Sequence, residues 1–560
     1  MHEQSRRTIL VVHLDTEQSE QIMLTEVQAH RTLSGRLLAL NLWQHYKDDP
    51  GLESAAYEAG NPVVIAPGVA SELGLKTPPS YVVVTRNPTT GAMATAVGSS
   101  SFGRGVLGCG YLAVVLVGRM RRLGAVLIDE AGATFTSAES YHNRGTTAVA
   151  RAVKHPHLMV TGPAAEQYSP YASLSVNGEN IGEGGMGSVL GRKNVKYIAV
   201  SPAQEGRECG DIKGLSRYNR CVERRIKRSK GAKSISLYGD VALIRWANTH
   251  GWAAIEGWTH RIDGRLWALT DKVGLLDQPI TLAQALALGP NLGLFEVDAI
   301  GRLARRCLDN GLDPTAVSAL LAWARPSRQE GLLPFLPDLR HPDVATIERL
   351  LDSIAYKRGI GGGELAQPLD ELVRLYGGAQ HAYLVGKRPI PAFDLRALPA
   401  TALLTALGDG TIVSSELTGG NRHRRGNERG LARRARFAQV LSSSAACVGV
   451  HPNALIDLTR GPLLFGKRRA FLQLARVASL AEGRTVSISQ IIDYGRSALE
   501  LEEAINEHLG ATVAPHLPER PLIDGKSHYP KSQVVPLARL LDAYRLIRAT
   551  EKQQEPSETR

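Results

Sequence analysis

Residues 180–200 read NIGEGGMGSVLGRKNVKYIAV, and the glycines within them determine how the first half of the chain is interpreted. The pattern Gly182-x-Gly184-x-x-Gly187-x-Val189 has the spacing of loops whose backbone N–H groups cover nucleotide phosphates. A kinase would also need a strand lysine, an H-R-D segment and a D-F-G segment, and none follows residue 187. A dinucleotide fold needs a long helix after the glycines, but a strand pattern, NVKYIAV, already begins at residue 194. The glycines therefore indicate either close backbone packing in a turn or a loop for another anionic ligand.

The composition is that of a globular protein with several domains. The chain has 560 residues, of which 43% are hydrophobic and 21% charged, which is an ordinary balance. Its longest apolar runs, such as 111–118, are too short to cross a bilayer, and the N-terminal apolar stretch is typical of a strand. We therefore expect a cytoplasmic protein without a membrane partner.

The five cysteines are scattered and never form a C-x-x-C pair. They are Cys109, Cys209, Cys221, Cys307 and Cys447. This spacing predicts neither a disulfide framework nor a zinc site. Reduced thiols in a cytosolic chain are the simplest interpretation.

Two basic clusters account for much of the net charge of +12. Segment 217–233 holds eight Lys or Arg against one Glu, and segment 422–436 holds seven against one. Either segment is a solvated linker or helix face, a docking surface for an acidic redox or maturation protein, or a nucleic-acid contact. Nucleic acid is the weakest of these, because Tyr218 is the only aromatic residue available for base stacking. A homodimer is a further option for assembly.

The residue patterns divide the chain into a sheet-rich part and a helical part. Short β-type runs bounded by Gly, Pro or Asn fill domain 1–201, and a basic linker or loop is expected at 202–234. Helical periodicity then dominates two domains, 235–397 and 398–550, before a polar, disordered tail at 551–560. The expected helices are 145–154, 239–249, 282–288, 295–310, 314–324, 344–356, 364–376, 399–408, 430–447, 467–481, 488–508 and 534–548.

Several strings in this order resemble the tungsten-containing aldehyde ferredoxin oxidoreductase family. GEGGMGSVLGRKNVKYIAV (182–200) is similar to its glycine signature, and the segments 81–119 and 161–180 resemble the strands and the G-P-A segment that precede it. Weaker but collinear matches follow at 238–252, 269–289 and 355–409. The resemblance covers residues 8–450 or so.

The resemblance implies an α+β first domain whose two β-sheets cradle a bis-pterin metal cofactor, followed by two mainly α-helical domains. The glycine loop would then serve a pterin phosphate by backbone N–H contacts. A tungstopterin or molybdopterin is the implied cofactor. The residues that the resemblance assigns to it are Ser99, Ser100, Ser101, Phe102, Gly103, Gly184, Gly185, Gly187, Lys193 and Asn194, with Asp271 or Asp277 as the equivalent of a family aspartate.

The chain departs from the family at the iron–sulfur ligands. The family binds a [4Fe–4S] cluster through three cysteines in its second domain and a fourth in its third domain. No cysteine lies within 253–273, where the three would be, and Cys447 lies about where the fourth ligand would be. One thiolate cannot hold a four-iron cluster, so the cysteine pattern argues against this cofactor.

The expected pterin contacts are altered as well. Glu183 replaces the arginine before the family glycines, and its carboxylate would repel phosphates unless a cation such as Arg192 or Lys193 compensates. The family's S-G-R is PPS at 78–80, and Val97 stands near an asparagine position.

Two functional hypotheses remain from the sequence. The first is a pterin oxidoreductase that acts on an aldehyde or oxo group without its own cluster, so that electrons leave through a partner. The alternative is a non-catalytic paralog that serves as a scaffold subunit, pterin carrier or maturation factor.

Overall fold

The structure is a computed structural model that describes residues 7–47, 57–77, 79–203, 211–228, 280, 282–294, 297–340, 343–390, 395, 398–411, 427–451, 463–511, 515–518 and 537–553. The first domain contains two six-stranded mixed sheets, which confirms the predicted α+β architecture. Sheet 1 consists of β1 (Thr8–His13), β2 (Gln18–Met23), β3 (Val63–Pro67), β4 (Tyr81–Arg86), β5 (Met93–Gly98) and β6 (Tyr111–Val117). Sheet 2 consists of β7 (Gly124–Asp129), β8 (Gly132–Ser137), β9 (Leu158–Thr161), β10 (Leu174–Val176), β11 (Glu179–Ile181) and β12 (Val195–Val200).

Six helices accompany these strands within the described part of the first domain. They are α1 (Glu26–Thr32), α2 (Gly35–Tyr46), α3 (Phe102–Gly108), α4 (Thr146–Val153), α5 (Pro163–Glu166) and α6 (Met186–Arg192). The predicted helix at 145–154 corresponds to α4.

The two sheets enclose a common hydrophobic core. Their strand orders are β2-β1-β6-β3-β4-β5 and β11-β10-β9-β12-β7-β8, with β1–β6 and β7–β12 as the parallel pairs. The central strands are buried on both faces and therefore read as continuous apolar runs. In β1, for example, Leu10 and Val12 face the core between the sheets, whereas Ile9 and Val11 face the helices outside sheet 1.

The edge strands of the two sheets also meet. β2 lies against β8, where the Ala133 amide donates to Ser19 Oγ at 2.9 Å. β5 lies against β11 on the other side. The two sheets of the first domain therefore lie against each other at both of their edges.

The second part of the chain is mainly helical, as predicted. Its helices are α7 (Ile212–Arg228), α8 (Leu282–Leu288), α9 (Val297–Asn310), α10 (Pro314–Gln329), α11 (Val344–Tyr356), α12 (Leu369–Tyr376), α13 (Pro399–Ala406), α14 (Glu428–Val448), α15 (Leu463–Glu482), α16 (Ile488–His508) and α17 (Leu537–Gln553). A short hairpin of β13 (Leu384–Val385) and β14 (Arg388–Pro389) lies between α12 and α13.

Two helical cores are distinct, and both helical regions contact the first domain. One core is formed by α8–α12, and the other contains side chains of α13, α14 and α17. Helices α14, α15 and α16 also pack their apolar faces against sheet 1. Backbone bridges join Ala172 to Leu312 and Pro79 to Val450, so each helical region is connected directly to a loop of the first domain.

Three local expectations need correction or lie outside the described residues. The expected linker or loop at 202–234 contains α7, because its spaced apolar residues Leu215, Tyr218 and Val222 pack in the core beside sheet 1. The expected disordered tail at 551–560 begins within a helix, since α17 continues to Gln553. The predicted helix 239–249 and the two aspartates Asp271 and Asp277 lie outside the described residues. No described helix has the length and apolar character needed to cross a bilayer.

Candidate functional site

The glycine loop, residues 182–187, leaves β11 and leads into α6. Gly182, Gly184 and Gly185 have φ angles of 86°, 62° and 83°, which side chains with a Cβ rarely adopt. This conformation turns the chain within a few residues and explains why the sequence needs glycine there.

The loop is also packed tightly against its surroundings. Thr89 Oγ1 donates to the Gly184 carbonyl at 2.9 Å, and a Cβ on Gly184 would lie 2.1 Å from Asn87 Nδ2. A Cβ on Gly187 would lie 2.3 Å from the Ser173 carbonyl oxygen, and the Gly187 amide donates to Ala172 at 3.1 Å. The Gly187 amide is therefore used within the protein. The amides of Gly184 and Gly185 donate to none of the residues that the structure describes.

Glu183 in this loop is paired with a cation from a remote part of the chain. Its carboxylate accepts a hydrogen bond from Arg388 Nη2 of β14, and Arg388 Nη1 donates to the carbonyl of Gly408 after α13. Neither Arg192 nor Lys193 supplies this contact: Arg192 stacks on Tyr168, with its guanidinium carbon 4.8 Å from the ring centre. The ion pair joins the glycine loop to the hairpin and to the end of α13.

Asp313 lies near enough to Glu183 and Arg388 for both charges to affect the pKa of its carboxyl group. It is 9% exposed, caps α10 and accepts a hydrogen bond from the Thr315 amide at 2.9 Å. Burial and the negative charge of Glu183 raise its pKa to about 7, against an opposing effect of its backbone hydrogen bonds and Arg388. Because the Asp313 amide also donates to the Tyr171 carbonyl at 2.8 Å, α10 is attached to the segment that precedes the glycine loop.

Lys193 and Asn194 lie at the opposite end of α6 from Gly184 and Gly185. Lys193 is 2% exposed, and its Nζ donates to the carbonyls of Ala59 and Gly118, each at 2.8 Å. Asn194 has a φ of 59°, and its Nδ2 donates to the Met120 carbonyl at 2.6 Å. These contacts hold the connection between β6 and β7. The seven residues of α6, which span roughly 10 Å, separate them from Gly184 and Gly185.

The segment Ser99–Gly103 lies where the edges of the two sheets meet. The amide and hydroxyl of Ser99 donate to the Glu179 carboxylate at 3.1 and 2.9 Å. Ser100 Oγ is 3.3 Å from the Tyr81 hydroxyl, and Ser101 Oγ accepts from Asn177 Nδ2 at 2.9 Å. Phe102 is fully buried, and a Cβ on Gly103 would lie 2.9 Å from Tyr81 Cβ. This segment and the glycine-loop contact at Thr89 occupy opposite ends of β5, roughly 20 Å apart.

A second group of residues lies where β4 begins, next to the end of β5, and we call it the Ser80 site. It consists of Thr77, Ser80, the Ser99–Gly103 segment and the end of α14 at 447–450. The Ser80 amide donates to the Gly449 carbonyl at 3.1 Å, and Pro79 bridges Val450. The hydroxyls of Ser80 and Thr77 are buried and have no hydrogen-bond partner within the described part of the chain. Buried polar groups are normally paired, so these two oxygens are free to accept or donate to a bound group.

Cys447 is part of the Ser80 site but is packed as a core residue. It is fully buried, its Sγ lies 3.8 Å from the Tyr494 carbonyl, and burial raises the pKa of its thiol to about 11. Cys109 and Cys307 lie in two other hydrophobic cores. Among the described residues, no three His, Cys, Asp or Glu side chains are grouped as metal ligands.

The structure thus places the predicted residues that it describes in three groups, one of which is Lys193 and Asn194 at the far end of α6. Ser99–Gly103 and Cys447 belong to the Ser80 site, and Gly184, Gly185 and Gly187 belong to the glycine loop. The sequence interpretation missed Arg388 and Asp313, which have no local signal because they reach the loop from other elements. Ser80 is the last residue of the PPS string at 78–80, and nothing in that string indicates the environment of its hydroxyl.

Comparison with known proteins finds matches along most of the chain. Residues 9–202 match the model of the aldehyde ferredoxin oxidoreductase N-terminal domain, and residues 271–558 match the model of domains 2 and 3 of the same family. A tungsten-containing aldehyde ferredoxin oxidoreductase of Thermococcus kodakarensis is 24% identical over 430 residues, which are 69% of this chain and 70% of the relative. The protein of the same description from Pyrococcus furiosus is 23% identical over 414 residues, 66% of this chain and 67% of the relative.

A solved structure shares the whole fold. The active-site complex BamBC of benzoyl coenzyme A reductase, determined with 1,5-dienoyl-CoA, superimposes with a TM-score of 0.77 at 14% sequence identity. The superposition covers 97% of this chain and 94% of the other. At this identity the likeness concerns the fold alone.

Proposed function

The chain belongs to the aldehyde ferredoxin oxidoreductase family, and on that basis we propose that it is a tungstopterin or molybdopterin oxidoreductase acting on an aldehyde or a related oxo group. The observation that carries the proposal is the match of residues 9–202 and 271–558 to the two family models. In addition, the buried hydroxyls of Ser80 and Thr77, near the start of β4, have no hydrogen-bond partner among the described residues. A buried hydroxyl without a partner costs stability. Retaining two at one end of β4 is expected when a bound polar group completes them.

The residues present fit a pterin group in part. Ser80, Thr77 and the Nε of Arg104, which directly follows Gly103, offer unsatisfied buried polar atoms. Gly184 and Gly185 offer backbone amides for an anionic group at the glycine loop. When bound, a pterin-held tungsten or molybdenum would supply two-electron redox chemistry at the substrate. The chain's own residues would hold the group by hydrogen bonds and keep it out of water.

The residues present do not fit a [4Fe–4S] cluster held by four cysteines. Such a cluster needs four thiolates within a few ångströms of one another. Cys109, Cys307 and Cys447 lie in three different hydrophobic cores, and burial raises the pKa of each thiol. At most Cys209 and Cys221 of the five cysteines remain, and two cannot complete the set.

This difference defines how electrons leave in the proposed reaction. One aldehyde and one water yield one carboxylic acid, two protons and two electrons. Without a resident cluster, the two electrons would pass one at a time to two molecules of a one-electron carrier protein.

The alternative role is a non-catalytic scaffold subunit, pterin carrier or maturation factor. Glu183 favours it: the glycine loop carries a carboxylate bonded to Arg388, and a negative side chain repels a phosphate. In this role the fold would persist while the chemistry is lost.

Elemental analysis of protein purified without oxygen from its native host separates the two roles. The proposed oxidoreductase should contain tungsten or molybdenum in near-equal amount to the chain, together with phosphorus from the pterins and almost no iron. It should also oxidise an aldehyde with a dye as electron acceptor. A chain free of both metals and inactive with the dye would leave the non-catalytic role.

A further inference from the structure

Helix α7 presents a row of cations to solvent. Lys213, Arg217, Arg220 and Arg224 are exposed and follow one another at spacings of four, three and four residues. Residues at these spacings lie on one face of a helix. We call this row the α7 basic face.

The basic face is not neutralised by the protein itself. Among the described residues, none of its four side chains forms an ion pair. Glu223 is the acid within the helix, and its carboxylate faces Lys76 Nζ at 3.8 Å. Four unpaired cations on one surface produce a positive potential that attracts an acidic partner.

The opposite face of α7 is buried, which orients the basic face outward. Tyr218 and Val222 belong to the core beside sheet 1, and a Cβ on Gly214 would lie 3.0 Å from Leu480 of α15. A helix that inserts into a lipid surface needs a free apolar face, whereas the apolar face of α7 is packed in the protein core. Tyr218 is 6% exposed, so the helix also offers no aromatic ring for base stacking.

The position of α7 connects the basic face to the Ser80 site. Asn219 accepts from the Lys76 amide at 2.9 Å and donates to the Gly74 carbonyl at 3.2 Å. Thr77 of the Ser80 site directly follows Lys76, whose exposed ammonium faces Glu223 of α7 at 3.8 Å. A protein bound to α7 would therefore sit over the chain segment that leads into the Ser80 site.

The other basic segment offers a shorter exposed row, because Arg429 and Arg433 are exposed but Arg436 is buried. Arg436 is 3% exposed, and its guanidinium donates to Glu551 at 2.8 Å and to Gln439 at 3.0 Å inside the helical region. Residues 422–426 lie outside the described part of the chain. The structural argument for docking therefore falls on α7.

We propose that the α7 basic face docks an acidic one-electron carrier protein of the iron–sulfur type, which accepts the electrons of the reaction. This inference rests on the proposed oxidoreductase function. Two oxidised carrier molecules would bind in turn, and each would leave with one of the two electrons released per aldehyde.

The test is a comparison of two triple charge reversals. Arg217→Glu, Arg220→Glu and Arg224→Glu change the basic face and keep good helix formers. The matched control is Arg119→Glu, Arg121→Glu and Arg122→Glu, three exposed arginines between β6 and β7. That turn follows the end of β6 that pairs with the start of β3, opposite the β3–β4 connection where α7 lies.

Binding is measured by calorimetry with an acidic [4Fe–4S] ferredoxin at low and at physiological ionic strength. The α7 variant should bind roughly tenfold more weakly or worse, because like charges replace attractive ones. The control variant should stay close to the wild type, and added salt should weaken wild-type binding. Equal loss in both variants, or no ferredoxin binding by the wild type, overturns the proposal.

Activity assays separate this proposal from the proposed function. With a dye as acceptor the α7 variant should retain wild-type aldehyde oxidation, whereas its ferredoxin-linked rate should fall by a similar factor to the affinity. Loss of all dye activity in the wild type would defeat the oxidoreductase function, while the calorimetry would still decide the docking surface. Binding of a DNA oligonucleotide or of anionic vesicles that depends on α7 more strongly than ferredoxin binding does would assign the surface to that other partner and overturn the proposal.

Discussion

Glu183 in the glycine loop is ion-paired with Arg388, a residue 205 positions later in the chain. The pair joins the sheet-rich domain to the β13–β14 hairpin. Arg388 also binds the end of α13, where a Cβ on Gly410 would lie 2.6 Å from its Nη2. The sequence predicts that the Glu183 carboxylate repels phosphates at the glycine loop. In the structure this carboxylate is part of a contact between the sheet-rich domain and the helical part.

Exchanging the charges of Glu183 and Arg388 together should change the free energy of unfolding only slightly. Arg388→Glu leaves two carboxylates facing each other and should lower Tm, whereas the double variant Glu183→Arg with Arg388→Glu should recover most of the loss. Because Glu183 is 49% exposed, the coupling should amount to about 1 kcal/mol or less. Thermal unfolding of the four proteins gives the coupling, and additive effects would argue against a direct pair.

Replacing Asp313 should stabilise the protein at alkaline pH. Its pKa is raised to about 7, so the folded state holds its proton more tightly than the unfolded state does. Stability contributed by the protonated form is therefore lost as pH rises from about 4 to about 7. Asp313→Asn keeps a good helix cap and removes the free-energy cost of ionising a buried carboxyl group. Its Tm relative to wild type should rise between pH 5 and pH 8.

Asp343 is the matched control for this pH dependence. It caps α11 in the same manner, but it is exposed, and hydrogen bonds from Thr346 lower its pKa. Its contribution is present at neutral pH and lost in acid. Asp343→Asn should therefore lower Tm slightly at neutral pH, the opposite sign to Asp313→Asn. The same sign in both variants would contradict the proposed environment of Asp313.

Gly187→Ala should destabilise the fold, since its Cβ would lie 2.3 Å from the Ser173 carbonyl oxygen. Overpacking of this kind costs about 1–3 kcal/mol. Gly363→Ala is the control, because nothing lies within 4 Å of its Cβ position. A Gly187→Ala protein that unfolds like wild type but loses bound metal would assign this glycine to the ligand instead.

Ser80→Ala should have opposite effects on the empty and the loaded protein. Without a cofactor it removes a buried unpaired hydroxyl and should raise stability by about 1 kcal/mol. In protein loaded in its host it should lower tungsten or molybdenum content. Ser71→Ala is the control, because its hydroxyl donates to the Ser80 carbonyl at 2.8 Å, and its loss should destabilise the empty protein. Unchanged metal content in Ser80→Ala would remove Ser80 from the cofactor contacts.

Thiol titration with a disulfide reagent should detect at most two of the five cysteines in the native protein. Burial raises the pKa of Cys109 to about 12, that of Cys447 to about 11, and that of Cys307 well above its usual range. All five should react in denaturant. Cys447→Ala should leave iron content unchanged, whereas a fall would restore Cys447 as a metal ligand.

The sequence predicted most of the helices because their apolar residues repeat with the helical period. The expected ranges 282–288, 344–356 and 488–508 coincide with α8, α11 and α16. It missed α7, whose Leu215, Tyr218 and Val222 have the right spacing but are few among many charges. Burial of that narrow stripe against sheet 1 decides the helix, and burial is a tertiary property.

The sequence by itself determined the family and, through that resemblance, the two-sheet architecture, since both rest on local strings that match the family in order. Only the tertiary structure decided which chemistry meets at a site. It paired Glu183 with Arg388, buried Asp313 near them and placed Lys193 in the interior. It also left the hydroxyls of Ser80 and Thr77 without hydrogen-bond partners among the described residues. These relations depend on charges and hydrogen bonds between segments that are remote in the chain, and no local pattern encodes the distance between them.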